Sequence, residues 1–234
     1  MTAASAAKFD PSRAAEYERQ SRIGLAGYDA CHDLAACLLA ATLGSGARAR
    51  ILVAGGGGTG SEVLTAGRLE PDWTFLVVDP SAPMLDLAMG RIAEAGLADR
   101  AEAVLGAVAD LPSGQTFDAA TLIGVLHHLP GAEAKAAILR DIAERLPPGA
   151  PLILAGNCRA YAAEPLLMAA WGNRWRMNGA SGDEIDAKLG KILQGADPPA
   201  SEEAVEALLA DAGFGHPKRF FSSLFWGAWI CTRL

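Results

Sequence analysis

The chain alternates between two kinds of apolar pattern. Short unbroken apolar runs, of the kind a strand buried on both faces shows, occur at Ile51 to Ala54 and at Leu152 to Ala155. Trp73 to Val78, Ala101 to Leu105 and Phe117 to Ile123 add three more strand-like segments, rich in β-branched or aromatic residues or introduced by the Pro112-Ser113-Gly114 turn. Between them lie helical spacings. Cys31 to Leu43 is stopped by Gly44-Ser45-Gly46, Ser61 to Leu69 precedes Pro71, and Ser81 is placed to cap a helix reaching about Ala95. A further helix, Glu133 to Leu146, is closed by Pro147-Pro148-Gly149. Strands alternating with helices predict a parallel sheet with right-handed crossovers.

After Gly156 the rhythm breaks. Residues 160–195 read as two helical pieces without a strand, and Ser201 with Glu202 and Glu203 opens one more helix, ending at Gly213. The strand candidates Arg219 to Phe221 and Leu224 to Thr232 are separated only by a Ser-Ser turn, too short for a parallel crossover, so they form an antiparallel hairpin. The predicted fold is α/β: a doubly wound, mostly parallel seven-stranded sheet, with a C-terminal antiparallel hairpin and a helical insertion after strand five. One domain over 1–234 is expected, with an N-terminal helical extension at 1–47 and a helical cap at 160–195.

Composition narrows the function classes. Of 234 residues, 51% are hydrophobic and 20% charged, and the formal charge is −7. That acidic balance implies no general attraction to nucleic acid. No apolar run reaches the roughly 20 residues of a membrane span, and the N-terminal segment lacks the apolar block of a signal peptide. The cysteines Cys31, Cys37, Cys158 and Cys231 show no metal-knuckle spacing and read as free thiols, which points to a reducing, cytoplasmic setting. No metal site is expected.

The chemistry concentrates in one strand-to-helix turn, Gly55-Gly56-Gly57-Gly58-Thr59-Gly60. Glycine permits positive φ and lets a ligand approach the backbone. In open parallel sheets, ligands bind where such turns leave the strands. Asp79 closes the next strand, where a carboxylate can accept hydrogen bonds from a ribose diol. Together they indicate an adenosine-containing cofactor. The spacing Gly55, Gly57, Gly60 suits a dinucleotide, while Gly56, Gly58, Gly60 suits S-adenosylmethionine, with Gly55 and Gly57 as spacers.

The order of segments resembles the class I S-adenosylmethionine-dependent methyltransferases. Ile51 to Gly60 looks like that family's first motif, and Val77-Val78-Asp79-Pro80-Ser81 with Met84 like its second. Gly106 to Pro112 with Phe117-Asp118, Leu122 to Leu129, and Leu146 to Ile153 are similar to the later ones. The resemblance implies cofactor contacts from Gly55, Gly56, Gly58, Gly60, Asp79, Pro80, Ser81 and Met84, from the backbone at Val108 and Ala109, and from Gly124. Gly27-Tyr28, the long insertion and Leu209 to Phe214 give a narrower likeness to the carboxy-S-adenosylmethionine synthase branch. Leu189 stands near the place of that branch's carboxylate-binding arginine, so only architecture carries over. Two departures stand out: Ala54 occupies the place of an acid that orients the methionine end, and Ala107 that of an acid for the adenine.

His127 and His128, just past strand four, are candidate proton acceptors, with Tyr28 as a third candidate at the reacting end. His32 and His216 read as structural. Tyr17, Tyr28, Trp171, Arg174, Trp175 and Arg176 either cap the cofactor or pack the insertion. Trp226 and Trp229 read as core, or as a surface for a homodimer. The leading expectation is a methyltransferase acting on a small-molecule acceptor. An NAD-dependent oxidoreductase, which lacks a Tyr-x-x-x-Lys donor here, and a non-catalytic cofactor-binding protein are the alternatives.

Overall fold

The computed structural model describes residues 11–234. The extension expected at 1–47 lies partly outside these. Within them, α1 (Pro11–Gly24) and α2 (Tyr28–Leu43) precede β1 (Ala49–Ala54). Then come α3 (Ser61–Leu69), β2 (Trp73–Asp79), α4 (Ala82–Glu94), β3 (Ala101–Leu105), β4 (Ala119–Ile123), α5 (Gly131–Ala143) and β5 (Pro151–Asn157). The insertion is α6 (Pro165–Met177) and α7 (Gly182–Gly195), followed by α8 (Glu202–Asp211), β6 (Phe214–Ser223) and β7 (Trp226–Arg233).

The sheet runs β3-β2-β1-β4-β5-β7-β6. The first five strands are parallel, and β7 pairs antiparallel with both β5 and β6. This is the predicted doubly wound sheet with its closing hairpin. The apolar runs are continuous because both faces are covered. Leu52, Ala54, Leu76 and Val78 pack with Leu139, Ile142, Val205 and Leu209, from α5 and α8, on one side. Ile51, Val53, Phe75 and Val77 pack with Leu39, Val63 and Ile92, from α2, α3 and α4, on the other. Strand order reverses between β1 and β4, which puts a crevice at their carboxyl ends.

Several boundaries differ from the sequence reading, each for a long-range reason. The hairpin turn is Leu224-Phe225 rather than the serine pair, which stays laddered as Ser222↔Gly227 and Ser223↔Trp226. Phe225 is fully buried against Tyr161 and Trp171 of the insertion, and Leu224 accepts a φ of 51° to put it there. β6 starts earlier, at Phe214, and accommodates Pro217 on the sheet edge between shifts in register. α5 begins at Gly131, whose N–H donates to Asp197 at 2.7 Å, a cap supplied from 66 residues away. Ser81 is the N-cap residue of α4, yet its side chain makes no cap bond. The preceding Asp79 carboxylate takes the Ser81 N–H instead, at 2.8 Å.

The insertion grips the first helix. Trp171 Nε1 donates to the Gly24 carbonyl at 2.7 Å, and Arg174 donates to those of Ile23 and Arg22 at 2.8 and 2.9 Å. A cation on the last carbonyls of a helix satisfies orphan acceptors and suits the helix dipole. Lys188 sits 4.5 Å over the Trp175 ring. Of the two readings of these aromatics, these contacts perform the packing one. Among the described residues, no helix is long and apolar enough to cross a membrane.

Candidate cofactor and acceptor site

The glycine run leaves β1 at the crevice and enters α3. Gly55, Gly58 and Gly60 have φ of 66°, 98° and 63°, which L side chains rarely adopt. Space is as restrictive as angle. A Cβ on Gly55 would lie 2.3 Å from Val125 Cγ2, and on Gly57 2.7 Å from Asp79 Oδ2, so the two supposed spacers are confined too. A Cβ on Gly58 would lie 2.6 Å from the Tyr17 ring. At Gly56 the φ is ordinary and the obstruction is Val53 Cγ1 at 2.5 Å and Val77 Cγ1 at 2.8 Å, stiff β-branched side chains in the sheet. Gly56→Ala is therefore expected to destabilise the fold by about 1–3 kcal/mol through overpacking, measurable as a lower urea midpoint.

The loop spends its own donors. Gly55 and Gly56 N–H reach the Val78 carbonyl, Gly57 N–H reaches Asp79 at 3.0 Å, and Gly58 N–H reaches the Met84 carbonyl at 2.8 Å. A pyrophosphate needs such N–H groups turned outward; here four in succession are engaged. That weighs against the dinucleotide reading. Asp79 is buried, and each oxygen accepts one backbone N–H, from Gly57 and Ser81, leaving acceptor capacity for a diol. Burial pushes its pKa up, against the lowering effect of those two bonds, and the Glu62 charge adds to the rise.

Beside it opens a cleft of about 220 Å³, lined by Gly55, Val78, Pro80, Gly106, Ala107, Val108 and Val125 on one side and by α5 on the other. It is a mostly apolar slot next to a diol acceptor, which fits a purine nucleoside without phosphate. Ala109 is exposed and does not line it. Asp110 folds back on the Ala107 N–H at 2.8 Å. Met84 packs on the glycine loop, and Gly60 heads α3. Gly124, with φ 76°, donates to the Ala155 carbonyl at 2.8 Å. A larger open hollow of about 490 Å³ lies at the opposite ends of the strands, where Arg100 is spent on the carbonyls of Gly67, Glu70, Pro71 and Trp73.

The three residues read as reacting groups are placed differently. Tyr28 turns to the cofactor loop: its hydroxyl is 2.6 Å from Thr59 Oγ1 and donates to Ser61 at 3.2 Å. Burial raises its pKa, so it stays protonated. His127 is buried at the other side of the crevice, against the edge of Trp226, and its Nδ1 accepts the Asn157 N–H at 3.4 Å. In the neutral ring that bond leaves the proton on Nε2. His128 is half-buried, its ring 4.3 Å from that of His127. Sequence reasoning passed over Asn157, at the end of β5, whose amide donates to the Tyr161 hydroxyl at 2.6 Å while Oδ1 has no hydrogen-bond partner among the described residues. It also passed over Glu62. The available signal was an acid in the first turn after the glycines.

Comparison with known proteins agrees with this geometry. Residues 54–152 match the family model described as a methyltransferase domain. That stretch, from the end of β1 to the start of β5, is similar to a methyltransferase domain. Solved structures resemble it as a fold. An O-methyltransferase family protein from Burkholderia thailandensis is 20% identical over 92% of this chain and 62% of that one, with a TM-score of 0.62. An O-methyltransferase family 2 protein from Planctomyces limnophilus, solved with apigenin, is 18% identical over 80% and 50%, with a TM-score of 0.61. An 8-amino-8-demethyl-D-riboflavin dimethyltransferase from Streptomyces davawensis is 19% identical over 89% and 55%, with a TM-score of 0.60. The chain spans 55%, 50% and 66% of the first three structures it matches. The search of curated proteins finds no match.

Proposed function

We propose that this chain transfers a methyl group from S-adenosylmethionine to a small-molecule acceptor. The observation that carries the reading is the crevice itself: an apolar slot, a strand-end carboxylate with spare acceptor capacity, and a glycine loop whose first four N–H groups are already bonded within the fold. When bound, the cofactor supplies an activated sulfonium methyl. Asp79 receives the ribose diol. The slot between Val108, Val125 and Pro80 takes the adenine, and Gly56, Gly58 and Gly124 border the methionine end. Neighbouring folds include proteins named for action on, or solved with, aromatic small molecules, which supports an acceptor of modest size.

An activated methyl asks mainly for alignment and exclusion of water. Helix α1 and the insertion clamped to it supply the second. A base is needed only for a protonated acceptor. His127, with Nδ1 engaged by Asn157, is arranged to donate from Nε2, so the half-buried His128 is assigned the base. His128→Ala is expected to lower kcat about 10²–10⁴-fold for acceptors that must lose a proton, with S-adenosylhomocysteine affinity unchanged. Equal loss on an acceptor already ionised would refute that role.

The reading itself is tested by calorimetry and a labelled methyl donor with a metabolite panel. Binding of S-adenosylhomocysteine, no binding of NAD and label transfer are expected. Binding of NAD alone would overturn it. Cofactor binding with no transfer to any acceptor would leave a binding protein. A homodimer through the outer hairpin and a cytoplasmic location are further parts of this reading.

A further inference from the structure

Glu62 stands in the first turn of α3, directly after the glycine loop, with its side chain only 9% exposed. Among the described residues, the one basic group within ion-pair range is His32 Nε2, at 3.9 Å, outside hydrogen-bond distance. That histidine is itself buried, and its Nδ1 is 2.9 Å from the Tyr28 carbonyl, an acceptor. Nδ1 therefore carries a proton, donated to that carbonyl. The start of a helix favours an acid by about 0.3–1 kcal/mol. Removing a carboxylate from water costs several kcal/mol.

The Glu62 side chain follows Gly60 by two residues, where the loop enters α3. Its field reaches the Tyr17 phenol, the Tyr28 phenol and the Asp79 carboxylate, which stand around Gly57–Thr59. Tyr17, whose ring covers Gly58, is pushed up to about 12, chiefly by burial and further by Glu62 and Asp79. Ala54 at the end of β1 is buried in the core and offers no charge. A methionine end brings a cationic ammonium to the same loop.

We propose that Glu62 receives the α-ammonium of the cofactor, the task for which β1 here has only Ala54. This rests on the S-adenosylmethionine reading above. Calorimetry on the full chain tests it with S-adenosylhomocysteine and with 5′-methylthioadenosine, which lacks the amino-acid end. Glu62→Gln is expected to weaken the first about 10–100-fold, as for a charged hydrogen bond, and the second by less than about 2-fold. Its thermal midpoint should not fall, because the substitution removes a buried charge. Equal loss for both ligands with a lower midpoint would assign Glu62 a structural role and overturn the proposal, as would no loss for either. A second measurement needs no variant: the desamino analogue of S-adenosylhomocysteine should bind wild-type chain at least about 10-fold more weakly than the parent, and equal binding refutes the proposal. Wild-type chain that takes neither adenosine ligand overturns the cofactor reading, and this inference with it.

Discussion

Asp79→Ala is expected to weaken S-adenosylhomocysteine binding on the order of 100-fold or more, the sum of two charged hydrogen bonds at about 1.5–3 kcal/mol each. The carboxylate has a second function that the same variant removes. It closes the glycine loop by accepting from Gly57 and Ser81, so alanine leaves two N–H groups without their partner and lets the loop relax. Asp79→Asn separates the two effects, because an amide oxygen still accepts one N–H while the charge is gone. Calorimetry paired with urea unfolding reads them: alanine loses affinity and stability together, asparagine chiefly affinity.

The acidity of Asp79 adds a pH signature. Burial raises its pKa in the folded chain, so the native state holds this proton more tightly than the unfolded one. Ionised Asp79 therefore costs stability. That cost is complete above the folded pKa and vanishes below the ordinary carboxylate value, so this group's contribution to stability improves on acidification between the two. Cofactor affinity moves the other way, because the protonated acid loses its charge towards the ribose. Affinity of the wild-type chain is expected to fall with acid at a higher pH than an ordinary carboxylate would give, and Asp79→Asn to flatten that dependence. A wild-type affinity flat through the acid range would remove Asp79 from the ribose contact.

What was legible in the sequence was local. Ile51 to Ala54 and Trp73 to Val78 read as strands because both faces of a parallel sheet ask for apolar residues, and the structure, with strands at Ala49–Ala54 and Trp73–Asp79, buries all but Thr74 and the half-buried Arg50 in them. The glycine loop and Asp79 read together because one turn and one strand end are fixed by neighbours in the chain. The start of α5 did not read correctly, because its cap is Asp197, and the hairpin turn was displaced by Phe225 seeking Tyr161 and Trp171. The same limit applies at the site. Nothing next to His127 in sequence shows that its Nδ1 meets Asn157, or that Arg174 closes α1. Nothing beside Glu62 in the sequence shows that its carboxylate is buried against His32 of α2.

Trp229→Ala is expected to destabilise the fold by about 3–5 kcal/mol, a large part of the roughly 5–15 kcal/mol of a typical domain. Trp229 is 1% exposed on β7, opposite Leu154 of β5, and belongs to the core that joins β1, β2, β4 and β5 to α5 and α8. β7 is an interior strand, so the ring anchors both the parallel part of the sheet and the edge strand β6. The ring also lies over Gly227, where a Cβ would be 2.3 Å from Cη2, so no neighbouring side chain stands ready to fill the space it leaves. Urea unfolding should show a lower midpoint with an unchanged slope if the native sheet survives intact. A reduced slope would mean that β6 and β7 detach before the rest, making the hairpin a separate unit of stability. A loss below about 1 kcal/mol would contradict the burial and remove Trp229 from the core that holds the hairpin to the crevice-bearing strands.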